Sequence, residues 1–189
     1  MIRAFIAISL DAKTIDKIFD AISQLKREIP GLRWVAKENL HLTLKFLGPI
    51  DDARIEPISR ALGGDLRPFS RFTINAKGLG VFPDLRRPRV LWVGLEGEVL
   101  PALAAAVESA LEPLGFAPET RSFRPHLTVG RWRNFEGSAT RLGRVIEKWK
   151  TYEFGVSKVE EITLFQSVLK PAGAVYYSLK SMALSENPL

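Results

Sequence analysis

The spacing of apolar residues changes along the chain, and each change predicts an element. Ile2 to Ile8 is a short apolar run rich in isoleucine, broken only by Arg3, and predicts a buried first strand. Ile15, Ile18, Phe19, Ile22, Leu25 and Ile29 then recur at helical spacing, with Asp11 as N-cap and Pro30-Gly31 as the stop. Trp34-Val35 suggests a short strand. From Leu40 to Leu47 the period is two. Leu40, Leu42, Leu44 and Phe46 fall on one face, His41, Thr43 and Lys45 on the other, and Gly48-Pro49 should end the strand.

Ile55, Ile58 and Leu62 predict a shorter helix that tolerates Pro57 in its first turn. Phe72 to Leu79 reads as a strand, Gly80 to Pro88 as a loop and Val90 to Leu95 as a strand. Leu100, Leu103, Val107, Leu111 and Leu114 mark a second long helix closed by Gly115. A strand from His126 to Gly130 follows, then a helix carrying Leu142, Val145, Ile146 and Trp149. Two last strands, Val159 to Val168 and Val175 to Ser181, flank a turn at Lys170-Pro171-Ala172-Gly173.

The order repeats: strand, long helix, strand, shorter helix, strand, and then the same from Val90. Phe5 lies 36 positions before His41, and Trp92 lies 34 before His126. One α+β unit is used twice, within a single domain expected to span residues 1–184, with a frayed tail at 185–189.

Composition narrows the chemistry. The 189 residues carry a net charge of +6, compatible with a phosphate-bearing ligand without requiring one. Cysteine is absent, which excludes disulfides, thiolate metal sites and a thiol nucleophile. Apolar runs such as Val99 to Val107 fall short of the ~20 residues that span a bilayer. Nothing in MIRAFIAISLD resembles a cleavable leader, so a cytoplasmic location with no membrane partner is expected.

Both histidines of the chain, His41 and His126, open the same tripeptide, His-Leu-Thr. At this composition the coincidence is expected about 3 times in 100,000, and each copy occupies the corresponding place in the repeat. In a strand, residues i and i+2 share a face, so each copy presents an imidazole beside a hydroxyl. A lone strand histidine reads as structural. Two related by a pseudo-twofold would set two imidazoles and two hydroxyls, Thr43 and Thr128, around one cleft. Such a set suits phosphodiester hydrolysis: one imidazole takes a proton from water, the other gives one to the departing oxygen, and the hydroxyls hold the phosphate oxygens. No phosphate-binding glycine loop or dinucleotide fingerprint occurs, so no nucleotide cofactor is implied.

The sequence resembles the two-histidine phosphoesterases, and among them the RNA 2′,3′-cyclic phosphodiesterases, also called 2′-5′ RNA ligases. The resemblance runs through RAFIAISL, NLHLTLKFLG, GLGVFP, PRVLWVGL and FRPHLTVGR. It implies a bilobal α+β fold, with two antiparallel sheets around a central cleft and helices on the outer faces. It implies hydrolysis of a 2′,3′-cyclic phosphate end of RNA, or of a small cyclic nucleotide, to a 2′-phosphate with no metal. The same histidines could instead run the reverse 2′-5′ ligation, or the chain could bind RNA ends without catalysis. A monomer is expected.

The family pattern also points to Arg131 as a phosphate ligand and to Phe46 as a surface for the terminal base. Strict alternation disagrees with both. It sets Phe46 in the core, the preferred reading, and requires a twist or bulge to turn Arg131 toward His126. Arg86, Arg87 and Arg89 form a basic loop that could steer RNA or simply be solvated. Trp132 is the best tryptophan for a base contact. The neighbouring Arg121, Arg124, Arg131 and Arg133 suggest that His126 is the neutral base and His41 the acid.

Overall fold

The computed structural model describes residues 1–171 and 173–186. Strand β1 (Ile2–Ile8) leads into helix α1 (Ala12–Glu28). The Asp11 carboxylate accepts the Thr14 amide at 2.7 Å, a side-chain N-cap, and Ile15, Ile18, Ile22 and Leu25 form the buried stripe. The chain continues through β2 (Arg33–Trp34), β3 (Leu42–Ile50), α2 (Ile55–Asp65) and β4 (Phe72–Phe82). The second repeat supplies β5 (Val90–Glu96), α3 (Leu100–Leu111), β6 (His126–Arg131) and α4 (Ala139–Trp149). Three strands complete the described chain: β7 (Glu153–Val159), β8 (Glu161–Lys170) and β9 (Gly173–Ala183).

All nine strands belong to one antiparallel array in the order β7-β4-β5-β6-β3-β1-β8-β9, with β2 added on β6. The two expected sheets are its two halves. They join at β3 and β6 through one residue pair, Leu42 with Leu127. Further pairing is prevented because β2 occupies the free edge of β6, setting Arg33 and Trp34 against Arg131 and Gly130. Strand β3 therefore turns away toward β1, and a cleft opens at the seam.

The halves interlock. Helix α1 follows β1 but packs on β7 at the far side of the array, while α4 packs on β4. Helices α2 and α3 pack on each other and against β9 and β3 respectively. The buried residues, among them Ile6, Ile18, Leu42, Leu103, Val107 and Leu127, form one continuous core. Each such aliphatic side chain contributes about 1.5–3 kcal/mol by leaving water.

The structure departs from the expected elements in five places. Strand β3 runs through Gly48-Pro49 to Ile50, paired with Ile2, and β4 runs through the predicted loop start to Phe82. Helix α3 stops at Leu111, where Pro113 permits only a 3₁₀ turn before Gly115 at φ +82°. Residues 153–159 form β7, of which the sequence reading assigned only Val159, as the start of the next strand. The expected tail begins tied down: Ser185 bridges to Ser70, and Glu186 pairs with Arg71. Residues 187–189, and Ala172 in the predicted turn, lie outside the described residues.

Lys45 was expected beside His41 but is buried, only 6% exposed. Its ammonium is paired with the Glu108 carboxylate from α3 and donates to the Ala117 carbonyl at 2.8 Å. Removing one partner of a buried pair leaves a charge without compensation, whereas replacing both by apolar groups is often neutral. Glu108→Ala is therefore expected to cost about 3 kcal/mol, the low end for such pairs because Glu108 is partly solvated. The double variant Lys45→Met/Glu108→Leu should recover most of that loss. Urea unfolding midpoints check both, and equal loss in the two variants would contradict this role.

Candidate active site

The seam itself assembles the site. In an antiparallel pair, partners run in opposite directions, so pairing Leu42 with Leu127 sets His41 toward Thr128 and Thr43 toward His126. Leu42 and Leu127 are buried on the core face, at 1% and 0% exposure, so the histidines and threonines emerge together on the other face. The pattern of two His-Leu-Thr copies is thus converted into one cluster by a single register.

A bulge in each histidine strand adds a third side chain. Along β3 the register with β1 skips Leu44, since Ala7 faces Thr43 and Ile6 faces Lys45. Along β6 the register with β5 skips Val129, since Trp92 faces Thr128 and Leu91 faces Gly130. The extra residue reverses the alternation beyond it. Lys45 therefore turns into the core, and Phe46 turns out to the cleft at 72% exposure. The preferred core position for Phe46 is thereby overturned. On the second strand Gly130 takes the core side, where a Cβ would stand 2.5 Å from Leu32, and Arg131 reaches the cleft. Phe46 and Arg131 each lie five residues after their histidine.

Both imidazoles are held alike. His41 Nδ1 lies 2.8 Å from the Asn39 carbonyl, and His126 Nδ1 lies 2.6 Å from the Arg124 carbonyl. A carbonyl only accepts, so Nδ1–H is the donor in both rings, and each Nε2 is left for chemistry. His41 Nε2 lies 3.1 Å from Thr43 Oγ1. His126 Nε2 has no hydrogen-bond partner among the described residues.

Aromatic rings fix both orientations. Phe5 lies 4.9 Å from His41, and Tyr176 meets His41 edge-on at 5.1 Å. Phe82 meets His126 edge-on at 5.0 Å, with Trp92 at 6.4 Å. Trp92 fits there because Gly80 lies beneath its ring, where a Cβ would come within 2.1 Å.

Burial pushes both imidazoles below their ordinary pKa, against the carbonyl hydrogen bonds, which raise it. The Arg131 guanidinium lowers both further, and His126 lowers His41. The positive charge near the pair is therefore shared, which removes the arginine-based reason for distinguishing base from acid. Arg124 instead places its guanidinium 6.0 Å from the Phe82 ring.

The cleft, about 260 Å³, is lined by His41, Thr43, Phe46, His126, Thr128 and Arg131, all six expected site residues. It is also lined by residues that the sequence reading did not assign: Arg3, Phe5, Asn39, Ser167 and Tyr176 among them. Asn39 has two roles. Its carbonyl orients His41, and its side-chain amide donates to the Ala174 carbonyl at 2.7 Å, tying the β8–β9 hairpin that carries Tyr176 to the site. No Asp or Glu is among the lining residues. Among the described residues no three His, Asp or Glu side chains are grouped to share a metal ion. No described helix is long and apolar enough to cross a membrane.

The expected base contact of Trp132 fails, and the arginine loop takes one of its two readings. Trp132 is buried, 5% exposed, and packs edge-on against Phe135, away from the cleft. Arg86, Arg87 and Arg89 do not line the cleft either. The Arg86 and Arg87 amides close a turn on Asp84, at 2.7 and 3.0 Å, and the Arg89 guanidinium is bound to the Arg133 carbonyl. This is the solvated-turn reading.

Known proteins resemble this chain in sequence and fold. The chain is 34% identical over 184 residues to the RNA 2′,3′-cyclic phosphodiesterase of Methanothermobacter thermautotrophicus, covering 97% of this chain and 99% of that one. The crystal structure of TT0787 of Thermus thermophilus superposes with a TM-score of 0.82 at 26% identity, covering 98% and 100% of the two chains. That of E. coli LigT complexed with 3′-AMP superposes with a TM-score of 0.78 at 29% identity, covering 97% and 98%. Residues 12–92 and 93–176 each match the family described as LigT like Phosphoesterase, each match containing one His-Leu-Thr strand. The chain belongs to the LigT-like phosphoesterase family.

Proposed function

We propose that this protein hydrolyses 2′,3′-cyclic phosphate ends of RNA to 2′-phosphates, using His41 and His126 as its proton-transfer groups. The observation that carries the reading is the pairing of Leu42 with Leu127, which gathers two imidazoles and two hydroxyls on one face with both Nε2 atoms free of the backbone. The names of its relatives support the substrate.

In this reading the cyclic phosphate lies between the imidazoles, its non-bridging oxygens held by Thr43, Thr128 and Arg131. Water attacks phosphorus in line with O3′. The new P–O bond forms as the P–O3′ bond breaks, and that electron pair leaves with O3′. One Nε2 takes a proton from the water, and the other Nε2–H gives one to O3′. The products are a 2′-phosphate and a free 3′-hydroxyl. The histidines finish with exchanged protonation and re-equilibrate with solvent. His126, whose Nε2 lone pair is open to the cleft, suits the base. His41, whose Nε2 is beside the Thr43 hydroxyl, suits the acid. Phe46, exposed at the rim, offers a stacking face to the terminal base.

The test is a short RNA ending in a 2′,3′-cyclic phosphate, incubated with the protein in a chelator and without ATP, with products identified by mass and by 2′- or 3′-specificity. A 2′-phosphate is expected. A ligated product, or no turnover, would contradict the reading. Thr43→Ala and Thr128→Ala each remove one neutral donor. Each should lower kcat about 10²-fold, the lower end for such donors, because two hydroxyls and a guanidinium share the charge. Unchanged kinetics in either variant would remove that threonine from the site.

A further inference from the structure

The cleft is not symmetric about the histidines. On the His126 side it ends at Thr128, Arg131 and Val35. On the His41 side it continues past Phe5 to Arg3, Ser167 and Tyr176. Two sheet registers produce this extension. Arg3 pairs with Ser167 across β1 and β8, and Ser167 pairs with Tyr176 across β8 and β9. Arg3 shares the face of Phe5 and stands about 7 Å further along β1, two strand residues on. Phe5 itself touches both His41 and Tyr176, each at 4.9 Å between ring centres.

Arg3 is exposed, and neither its guanidinium nor the Ser167 hydroxyl has a hydrogen-bond or ion-pair partner among the described residues. With no carboxylate lining the cleft, nothing there neutralises Arg3. An unpaired guanidinium beside an unpaired hydroxyl, one ring beyond the acid–base pair, suits a phosphodiester oxygen pair.

We propose that Arg3 and Ser167 bind the phosphodiester on the 5′ side of the terminal nucleotide, a subsite that the RNA strand fills and a cyclic mononucleotide leaves empty. The proposal rests on the hydrolase reading above. With the cyclic phosphate between the histidines, the terminal nucleoside lies over Phe5 between Phe46 and Tyr176, and the next phosphate of the strand arrives at Arg3. Beyond Thr128 and Arg131, which hold the cyclic phosphate in that reading, the lining on the His126 side includes no such unpaired guanidinium and hydroxyl among the described residues, and Arg124 lies against the Phe82 ring.

The experiment compares kcat/KM on three substrates: 2′,3′-cyclic AMP, a diadenosine ending in a 2′,3′-cyclic phosphate, and the same dinucleotide with a neutral methylphosphonate between its nucleosides. For the wild-type protein the ordinary dinucleotide should be preferred about tenfold over the other two, the size expected of one charge-assisted phosphate contact. In Arg3→Gln that preference should fall close to one, and in Ser167→Ala it should fall less. Because the methylphosphonate comparison uses the wild-type protein, it stands even if a variant folds poorly. Equal kcat/KM for the charged and neutral dinucleotides, or an undiminished preference in folded Arg3→Gln, would overturn the subsite while leaving the hydrolase reading intact. No turnover on any of the three would overturn both.

Discussion

His41→Ala and His126→Ala are each expected to lower kcat about 10²–10⁴-fold, the range for loss of a general acid or base. Each ring commits Nδ1 to a backbone carbonyl and presents Nε2 to the cleft, so no neighbouring group can take its place. Both variants should fold, since the core face of each strand is held by Leu42 or Leu127 rather than by the imidazole. Far-UV circular dichroism and a melting curve check this. A substrate with sulfur in place of O3′ separates the roles, because a thiolate leaves with little need of a proton. That substrate should largely rescue His41→Ala and leave His126→Ala impaired. Rescue of the opposite variant would reverse the assignment. A folded variant that kept more than about a third of wild-type turnover would remove that histidine from the chemistry, being far outside the expected range.

Arg131→Gln should have the next largest effect, about a 10²-fold fall in kcat/KM, and it should also change the pH profile. The guanidinium is placed to hold the developing phosphate charge, and its loss is comparable to the loss of an oxyanion donor. It also lowers the pKa of both imidazoles. A working pair carries one proton between its members, so the bell in kcat/KM is set by the pair in the free enzyme. Burial and Arg131 depress both imidazoles, so the wild-type maximum is expected at a lower pH than for an ordinary imidazole pair. Removing the positive neighbour makes each imidazole easier to protonate, so both limbs should move to higher pH. Burial, the larger cause of the depression, is untouched, so the move is partial. A profile that stayed in place, or moved down, would show that Arg131 does not act on the pair.

The parts of this site legible in the sequence were those repeated in it. His41-Leu42-Thr43 and His126-Leu127-Thr128 could be read because residue type, spacing and place in the repeat agreed, and the period-two rule assigned their faces correctly. The same rule failed at Lys45 and Phe46, because an unpaired Leu44 reverses the alternation and nothing in the local composition marks that bulge. On the second strand the need for a bulge before Arg131 was visible, since the family pattern and the alternation conflicted there. Strand β7 was missed for a related reason. Its buried residues, Phe154, Ser157 and Val159, do not alternate cleanly, and the register shifts opposite Ala76 and Lys77. The cleft roles of Arg3, Phe5 and Tyr176 depended on long-range pairing of β1, β8 and β9. From Ala4 to Ile8 both faces of β1 are buried, so its sequence reads as a uniform apolar run with no face marked for solvent.

The central claim is that two histidines direct water onto a cyclic phosphate. It is tested most directly by running the reaction in H₂¹⁸O with a chelator present, on a short RNA ending in a 2′,3′-cyclic phosphate. The account predicts that the wild-type protein yields a 2′-phosphate carrying one ¹⁸O atom, and that His41→Ala/His126→Ala yields none above the uncatalysed background. A 3′-phosphate product, a 2′-phosphate without the label, or labelled product formed undiminished by the double variant would contradict it.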